Sequence, residues 1–284
     1  MPAAWWKPRF WRLAWPLCAS GSLTILPMAA PFLSVVIPVY NEEACIAQTV
    51  RAVAAELSRL GRSWEVLVVD DGSTDRTREI VKAGAGADTR IRLIAAPHLG
   101  KGGAVRRGMI EAAGEWRFLA DADLSMPIDE LSRFLPGSGY PDADILIGSR
   151  EVAGAARIEE PWVRHVLGRV FNVAATMFVV GGVADTQCGY KLFSREAACA
   201  LFPLQQLNGF GFDCEVLFLA RRAGFSVREV PVTWTYRTST KVTAWTGGAG
   251  FVDLLRIRWS QMRGRYPRVI TRYTSTPGSG DDPV

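Results

Sequence analysis

Two aspartates separated by a single residue, Asp121 and Asp123, are the leading candidates for chemistry in this sequence. They follow the apolar run WRFLA, and carboxylates at positions i and i+2 of a strand end can converge on one cation. A Mg²⁺ or Mn²⁺ ion held there would neutralise the negative charge that develops on a departing diphosphate. Asp-X-Asp is also common at solvated strand ends, but the buried run before it and LSMP after it favour a metal site.

A second acidic cluster consists of Asp70 and Asp71, which end another apolar run and precede Gly72 and Ser73. A carboxylate at this point can accept a hydrogen bond from the N–H of a nucleobase, and Gly72 allows the backbone to approach a ligand. The same residues would serve equally well as a helix cap, with Ser73 or Asp71 accepting from the first amides. The sequence alone leaves both interpretations open.

The segment PVYNE places an aromatic ring, Tyr40, and a carboxylate, Glu42, at the end of the first apolar run, next to Pro38. Helix capping explains Asn41 in the same segment without any ligand. Lys101 lies among glycines in GKGG and is a candidate for holding phosphate, although three glycines and a lysine also make an ordinary loop.

The elements that must position these residues alternate between strands and helices. Runs of β-branched apolar residues predict strands that are buried on both faces, and helical spacing predicts helices over residues 43–60, after Ser73 and after Gly100. We therefore predict an α/β fold with a Rossmann-like, mostly parallel sheet flanked by helices, in a single domain. Ligands of such sheets bind at the carboxyl ends of the strands. The polar clusters fall at these ends: YNEE, DDGSTD, PHLGKGG and DADLS.

Composition limits the class of partner. With 284 residues, of which 49% are hydrophobic, the chain can bury one substantial core. A net charge of +5 suits an anionic partner such as a nucleotide diphosphate or an acidic membrane, and no basic-aromatic motif supports nucleic acid binding. Five cysteines without a CxxC spacing indicate neither a zinc site nor a disulfide framework. His98 and His165 are isolated, so we expect both to be structural.

Two segments in the C-terminal half are candidates for membrane contact. Residues 162–183 are largely apolar, but the uncharged core of this segment is too short to span a bilayer, so we expect a buried or membrane-dipping helix. Residues 246–268 predict a basic amphipathic helix that lies on an anionic membrane or, alternatively, packs on the core with solvated arginines. Its apolar residues are Phe251, Val252, Leu255, Trp259 and Met262, and its basic residues are Arg256, Arg258, Arg263 and Arg265.

The two ends of the chain lie outside the predicted domain, which we place at residues 32–245. Residues 1–31 combine a basic flank with an apolar stretch that prolines and serines interrupt, so we expect a peripheral or disordered extension. Translation from Met28 is an alternative, because the residues that follow make a complete beginning for the domain. The polar residues 269–284 predict a disordered tail.

Several motifs in order over residues 34–150 resemble those of glycosyltransferase family two, whose members have the GT-A fold. These motifs are VVIPVYNEE, VVDDGSTD, LGKGGAVRRGM, FLADADLSMP and GSR. Three later motifs, DTQCGYKLF, GFDCEVLFLARRAGF and TYRTSTKV, are similar to those of dolichyl-phosphate and polyprenyl-phosphate sugar synthases, especially the β-glucosyl kind.

The resemblance implies where a nucleotide sugar would bind. The residues that would hold the nucleoside are Pro38, Tyr40, Glu42 and Asp71, with Asp70 and Lys101 completing the nucleotide- and sugar-binding set. Asp121 and Asp123 would bind the metal ion and diphosphate, and Arg150 would help to place phosphate. Some relatives have Gln where this chain has Ser125, which we expect to reach the metal through its hydroxyl group or a water molecule.

The resemblance also implies the reaction, which is inverting transfer of glucose from UDP-glucose to a polyprenyl or dolichyl phosphate at the cytoplasmic face of the membrane. Arg237, Ser239 and Lys241 would engage the donor diphosphate or the lipid phosphate. A lipid phosphate is already anionic near pH 7, so its attack needs no protein base. We therefore assign Asp213 to positioning the sugar or Arg237. An ion pair of Asp213 with an arginine of its own helix, at position 221 or 222, is the structural alternative.

Other interpretations stay open. GDP-mannose or another nucleotide sugar would be an alternative donor, and a saccharide would be an alternative acceptor. The DTQCGYK motif and the basic C-terminal helix favour the lipid acceptor. The presence of Asp121, Asp123 and Arg237 argues against a nucleotide-binding module without catalytic activity.

Overall fold

The computed structural model describes residues 30–139, 143–236, 244–267 and 270. Almost all of the predicted extension at 1–31 and of the predicted tail at 269–284 lies outside the described residues. The same is true of Arg237, Ser239 and Lys241, so the predictions for these three residues are not tested by the fold.

The first half of the described chain alternates regularly between strands and helices. Its elements are β1 (Leu33–Val39), α1 (Ile46–Arg59), β2 (Trp64–Asp70), α2 (Thr77–Ala87), β3 (Ile91–Ala95), α3 (Lys101–Glu111) and β4 (Trp116–Leu119). β1 and β2 are buried along their whole length, as the apolar runs predict. Because side chains of a strand alternate between faces, Val36 and Leu67 enter one hydrophobic cluster, whereas Val35 and Val66 enter the other.

The second half is less regular. Its elements are a 3₁₀ helix (Ile128–Phe134), β5 (Ile145–Ser149), β6 (Ala156–Ile158), α4 (Trp162–Ala175) with a π-helical extension (Thr176–Val180), β7 (Lys191–Ser194), α5 (Arg195–Leu201) with a 3₁₀ turn (Phe202–Leu204), α6 (Phe212–Arg222), β8 (Val227–Pro231), β9 (Thr233–Thr235) and α7 (Ala244–Met262).

Seven of these strands form one sheet in the order β3-β2-β1-β4-β7-β5-β8, and β6 pairs with β9 separately. β7 runs antiparallel to its neighbours β4 and β5, while the other pairs of the large sheet are parallel. The predicted α/β fold, with a mostly parallel sheet flanked by helices, is thereby confirmed. After β3 the chain returns to the other side of β1, so β1 and β4 flank the point where such sheets usually bind ligands.

Helix boundaries differ from the predicted ones at two places. α2 begins at Thr77 and not directly after Ser73, because the Ser73 hydroxyl accepts a hydrogen bond from Asn41 N at 2.9 Å. Asp75 instead accepts from the Thr77 amide, at 3.0 Å. α7 ends well before residue 268, since Gly264 has φ of +66° and turns the chain.

The apolar residues that the sequence places on one face of α7 are directed outward. Phe251, Val252, Leu255, Trp259 and Met262 are all exposed, while Leu254 and Ile257 contact the core. The alternative interpretation, in which these five residues pack on the core, is therefore wrong. α4 is likewise not a buried helix, because most of its large apolar side chains are exposed. None of the described helices is both long and apolar enough to cross a bilayer.

Candidate active site

The loop before α3 is fastened to the end of β2 by Asp71. The Asp71 carboxylate accepts hydrogen bonds from the backbone amides of Leu99 and Gly100, each at 2.9 Å, and His98 Nδ1 lies 3.1 Å from Asp71 Oδ2. Gly100 has φ of +109°, and a side chain there would collide with neighbouring backbone, so this sharp approach requires glycine. Asp71 therefore shapes the loop that carries Lys101.

Asp70 lies beneath the same turn. Its side chain is wholly buried, and its carboxylate accepts hydrogen bonds from the amides of Gly72 and Ser73 and from Arg78. The prediction that Asp70 contacts the nucleotide sugar is wrong, because a ligand cannot reach a carboxylate with no exposed surface. Asp70 instead stabilises the turn that presents Asp71.

The end of β1 brings an aromatic ring and a carboxylate to this edge of the sheet. Pro38 is buried inside β1, just before the strand ends. The ring of Tyr40 stacks on the ring of His98, with centroids 4.4 Å apart and planes inclined by 24°. The Glu42 carboxylate lies 3.3 Å from Cys45 Sγ, at the start of α1. Tyr40 and Glu42 thus follow the carboxyl end of β1, the strand next to β2, and their contact with a nucleoside stays a prediction.

Lys101 and Asp121 form an ion pair across the site, with Nζ 2.6 Å from Oδ1. Burial alone would raise the pKa of Asp121, but the charges of Lys101, Lys191 and Arg150 hold that pKa below its ordinary value. Burial would lower the pKa of Lys101, and the attraction of Asp121 instead raises it. Both groups are therefore charged near neutral pH, as cation and phosphate binding require.

Gly189 allows the DTQCGYK loop to pack directly on Asp121. A β carbon at Gly189 would lie 1.8 Å from Asp121 Oδ2, which is far inside contact distance. The following residue, Tyr190, donates a hydrogen bond from its hydroxyl group to Met126 O at 2.7 Å. The DTQCGYK loop is thereby fixed to both Asp121 and Met126, which lie on either side of Asp123.

Asp123 is oriented by Ser125. The Ser125 amide donates to Asp123 Oδ1 at 3.0 Å, and its hydroxyl group donates to Oδ2 at 2.8 Å, while Leu124 between them has φ of +46°. The contact of Ser125 with a metal ion stays a prediction. Thr235 N donates to Ser125 O at 2.8 Å, so the end of β9 lies beside the loop that carries Asp123.

Lys191 lies in the site and was not predicted from the sequence. Its side chain is 2% exposed, and Nζ lies 2.6 Å from Asp213 Oδ1 and also donates to Cys188 O. Asp213 therefore pairs with Lys191 and not with Arg221 or Arg222. Burial raises the pKa of Asp213 although two lysines lie near it. The one signal in the sequence was a lysine inside the apolar run GYKLF.

Arg150 is held by Asp185, at the start of the DTQCGYK loop. Arg150 Nε lies 2.7 Å from Asp185 Oδ2, and Nη2 lies 2.9 Å from Oδ1. Burial would raise the pKa of Asp185, but Arg150 lowers it to about 2. The guanidinium group also lies 5.3 Å from the ring centroid of Trp234. The predicted contact of Arg150 with phosphate stays a prediction.

The donor atoms of Asp121 and Asp123 suit a hard divalent cation. Carboxylate oxygens without sulfur or imidazole ligands favour Mg²⁺ or Mn²⁺ over zinc. Within the described part of the chain, no group of three or more His, Cys, Asp or Glu side chains could hold a metal ion alone. Asp121 and Asp123 are the residues that would hold such a cation, and their contact with it stays a prediction.

A mostly parallel sheet with these charged side chains at one edge is the architecture of a GT-A glycosyltransferase. Residues 34–202 match the family model of glycosyl transferase family 2, and the chain belongs to this family. The family resemblance that the sequence motifs indicate is thereby confirmed.

Curated relatives agree with the narrower resemblance. The chain is 36% identical over 222 residues to a dolichyl-phosphate beta-glucosyltransferase of Trichomonas vaginalis, covering 74% of this chain and 66% of that protein. It is 32% identical over 257 residues to the dolichyl-phosphate beta-glucosyltransferase of Homo sapiens, covering 84% and 79%.

Among solved structures, a glucosyl-3-phosphoglycerate synthase from Mycobacterium tuberculosis in complex with Mn²⁺, UDP and phosphoglyceric acid has a similar fold. The TM-score is 0.58, with 21% identity and coverage of 81% of this chain and 78% of that one.

Proposed function

We propose that the chain transfers glucose from UDP-glucose to the phosphate of a polyprenyl or dolichyl lipid, with inversion at the anomeric carbon. The names of the curated relatives support glucose and the lipid phosphate, and the UDP complex of the structural neighbour supports the nucleotide. The observation that carries the proposal is one loop that joins two aspartates. Gly100 N donates to Asp71, and Lys101 Nζ donates to Asp121, so the residues proposed for the nucleoside and for the diphosphate are adjacent.

The donor site uses charge to stabilise the leaving diphosphate. When held by Asp121 and Asp123, Mg²⁺ or Mn²⁺ supplies positive charge that stabilises this group as the bond to the sugar breaks. Lys101 adds a second positive charge at the same place, because its ammonium group already lies beside Asp121. Tyr40 and Glu42 hold the nucleoside at the neighbouring strand end.

The acceptor phosphate needs orientation and not deprotonation. It is anionic near pH 7, and its oxygen attacks the anomeric carbon from the face opposite the diphosphate, which inverts the configuration. The Asp213 carboxylate is already hydrogen-bonded to Lys191, so we assign it to positioning the sugar. Arg237, Ser239 and Lys241 are proposed to hold the lipid phosphate.

The proposed acceptor requires contact with a membrane, and two adjacent helices offer an apolar surface for it. Phe171 of α4 and Phe251 of α7 meet edge to face, with ring centroids 5.3 Å apart, which makes one continuous surface of the two helices. Its most exposed apolar side chains are Trp162, Leu167, Met177, Phe178, Leu255 and Met262. We propose that this surface, the membrane-facing surface, lies in the headgroup region of the bilayer.

The charges on the same helices suit an anionic bilayer. Arg169 of α4 and Arg256, Arg258 and Arg263 at the C-terminal end are exposed next to the apolar side chains. Basic side chains beside an inserted apolar face add attraction to acidic lipids. We therefore propose peripheral binding at the cytoplasmic face, where soluble nucleotide sugars are available.

Transfer assays test the proposed reaction. The full chain is incubated with radiolabelled UDP-glucose or GDP-mannose, Mn²⁺, and dolichyl phosphate, undecaprenyl phosphate or a saccharide. We expect lipid-linked glucose, and we expect the Asp123→Ala variant to lose it. Glu79→Ala, which removes an exposed carboxylate from α2, is the matched control and should retain it. Transfer of mannose only, or transfer to the saccharide only, would contradict the proposal.

Vesicle sedimentation tests the membrane-facing surface. Wild-type protein should bind vesicles that contain acidic lipids, and Leu255→Glu combined with Met262→Glu should remove most of this binding. Ile110→Glu, at an exposed apolar position on α3, is the control and should bind like wild type. Equal loss in the control, or no loss in the double variant, would argue against this surface.

A further inference from the structure

We propose that His98 is a donor-binding residue that stacks on the nucleobase opposite Tyr40. This inference rests on the proposed function, since it assumes a nucleotide donor. Tyr40, Asp71 and His98 follow β1, β2 and β3, which are neighbours in the sheet. Two aromatic rings and one carboxylate are therefore gathered at consecutive strand ends, where the nucleoside is predicted to bind.

The position of His98 is set by specific contacts. His98 Nδ1 lies 2.7 Å from Asp71 O and 3.1 Å from Asp71 Oδ2. Gly72 has φ of +85°, and a β carbon there would lie 3.0 Å from His98 Cβ, so glycine at this position lets the two segments close on each other. The imidazole ring is thereby held parallel to the Tyr40 ring and is not simply a solvated side chain.

The two stacked rings would have to separate to admit a third flat ring between them. Their centroids are 4.4 Å apart, which is direct stacking contact and leaves no room for a base between them. The two rings differ in exposure, because the His98 side chain is 59% exposed whereas Tyr40 is half-buried, so the imidazole is the ring with space to turn outward. A rotation that moves the imidazole by about 3.5 Å, the contact distance between stacked atoms, would admit a base. His98 would then cover its second face.

The same movement frees a hydrogen-bond acceptor. Asp71 Oδ2 accepts from Gly100 N and faces His98 Nδ1 in the closed arrangement. When His98 turns away, the lone pair that faced the imidazole becomes available to a ring N–H of the base, such as that of uracil. His98 thus closes the base site when its ring lies on Tyr40 and covers the second face of the base when its ring has turned outward.

Calorimetric titration of the full chain with UDP and Mn²⁺ tests this role. His98→Ala should weaken UDP binding about ten- to a hundredfold, while His98→Phe, which keeps a flat ring, should stay within about threefold of wild type. Inorganic pyrophosphate lacks a base, so its affinity should be the same in all variants. His165→Ala removes the other histidine, on α4, and should leave UDP binding unchanged.

Two results would overturn the inference. UDP affinity unchanged in His98→Ala would exclude stacking. If His98→Phe bound UDP as weakly as His98→Ala, UDP binding would depend on the contact of the imidazole nitrogens with Asp71 and not on the face of the ring. Melting temperatures show whether each variant is folded. If His98→Ala does not fold, the UDP affinity of His98→Phe relative to wild type still tests whether a flat ring is sufficient. If folded wild-type protein binds no UDP, the proposed function fails and the inference falls with it.

Discussion

Lys101 Nζ lies 2.6 Å from Asp121 Oδ1, so a basic residue at the start of α3 reaches the end of β4. The pair links the loop that Asp71 fastens to the motif predicted to bind metal. It also balances charge in the site, because Lys101, together with Lys191 and Arg150, offsets the burial of the Asp121 carboxylate. The position of the ammonium group depends on Gly100, whose left-handed backbone begins the helix.

Loss of the Lys101 charge should impair use of the donor. Hydrogen bonds to charged groups contribute about 1.5–3 kcal/mol, so we expect Lys101→Met to lower kcat/KM for UDP-glucose about ten- to a hundredfold. Lys101→Arg keeps the charge, so its kcat/KM for UDP-glucose should lie between the values of Lys101→Met and wild type. Steady-state kinetics measure the effect, with Lys82→Met, at an exposed position on α2, as control. A Lys101→Met enzyme as active as the control would contradict a contact with diphosphate.

Lys191 and Asp213 should be energetically coupled, since both are buried and their charged atoms lie 2.6 Å apart. Removing one partner of a buried pair leaves an uncompensated charge, which costs about 3–5 kcal/mol. Lys191→Met and Asp213→Asn should each lower the free energy of unfolding by this order. The double variant should lose much less than both together, and urea denaturation of all four proteins measures the difference. Additive losses would exclude a specific interaction.

Gly189→Ala should displace the Asp121 carboxylate, because the added methyl group would overlap Oδ2. We expect loss of most transfer activity and weaker Mn²⁺-dependent UDP binding. Gly84→Ala is a matched control, since its β carbon meets no atom within 4 Å in α2, and alanine in a helix should stabilise it slightly. Full activity in Gly189→Ala would show that the loop can move away from Asp121 at no cost.

Asp185 should make stability depend on pH in acid. Its pKa falls from the ordinary 3.8 to about 2 in the folded protein, because Arg150 more than offsets the effect of burial. The stabilisation is therefore complete above about pH 4 and is lost as pH falls towards 2, with a size of about 2 kcal/mol. Asp185→Asn removes the titrating group, so its unfolding free energy should decline less steeply over this range. Equal slopes in urea denaturation at several pH values would contradict the assignment.

Local patterns explain why much of the fold was predictable. Apolar runs define β1 and β2, and polar residues directly after them mark Tyr40, Asp71 and Asp121 as residues of one sheet edge. The antiparallel insertion of β7 between β4 and β5 was not predicted, because strand order depends on pairing between distant segments and leaves no periodic signal.

The site could be predicted only in part, because it depends on side-chain contacts between segments that are distant in the sequence. His98 is an isolated histidine, and Lys191 is a lysine in an apolar run. Their roles could be inferred only after the fold had brought Tyr40 to His98 and Asp213 to Lys191. Conversely, Asp70 and Asp71 are adjacent and chemically identical and both are buried, yet Asp70 accepts from the turn that follows β2 whereas Asp71 accepts from the loop before α3. No sequence pattern distinguishes the two.

Asp121 and Asp123 are expected to hold one divalent cation together, and the affinity for UDP with and without Mn²⁺ measures this most directly. In calorimetric titrations Mn²⁺ should strengthen UDP binding to wild-type protein about tenfold or more, because a cation held by Asp121 and Asp123 would attract the diphosphate. Asp121→Asn and Asp123→Asn should each abolish the increase. The proposed metal site would be contradicted if Mn²⁺ still increased the UDP affinity of both variants. It would also be contradicted if Mn²⁺ left the UDP affinity of the wild-type protein unchanged.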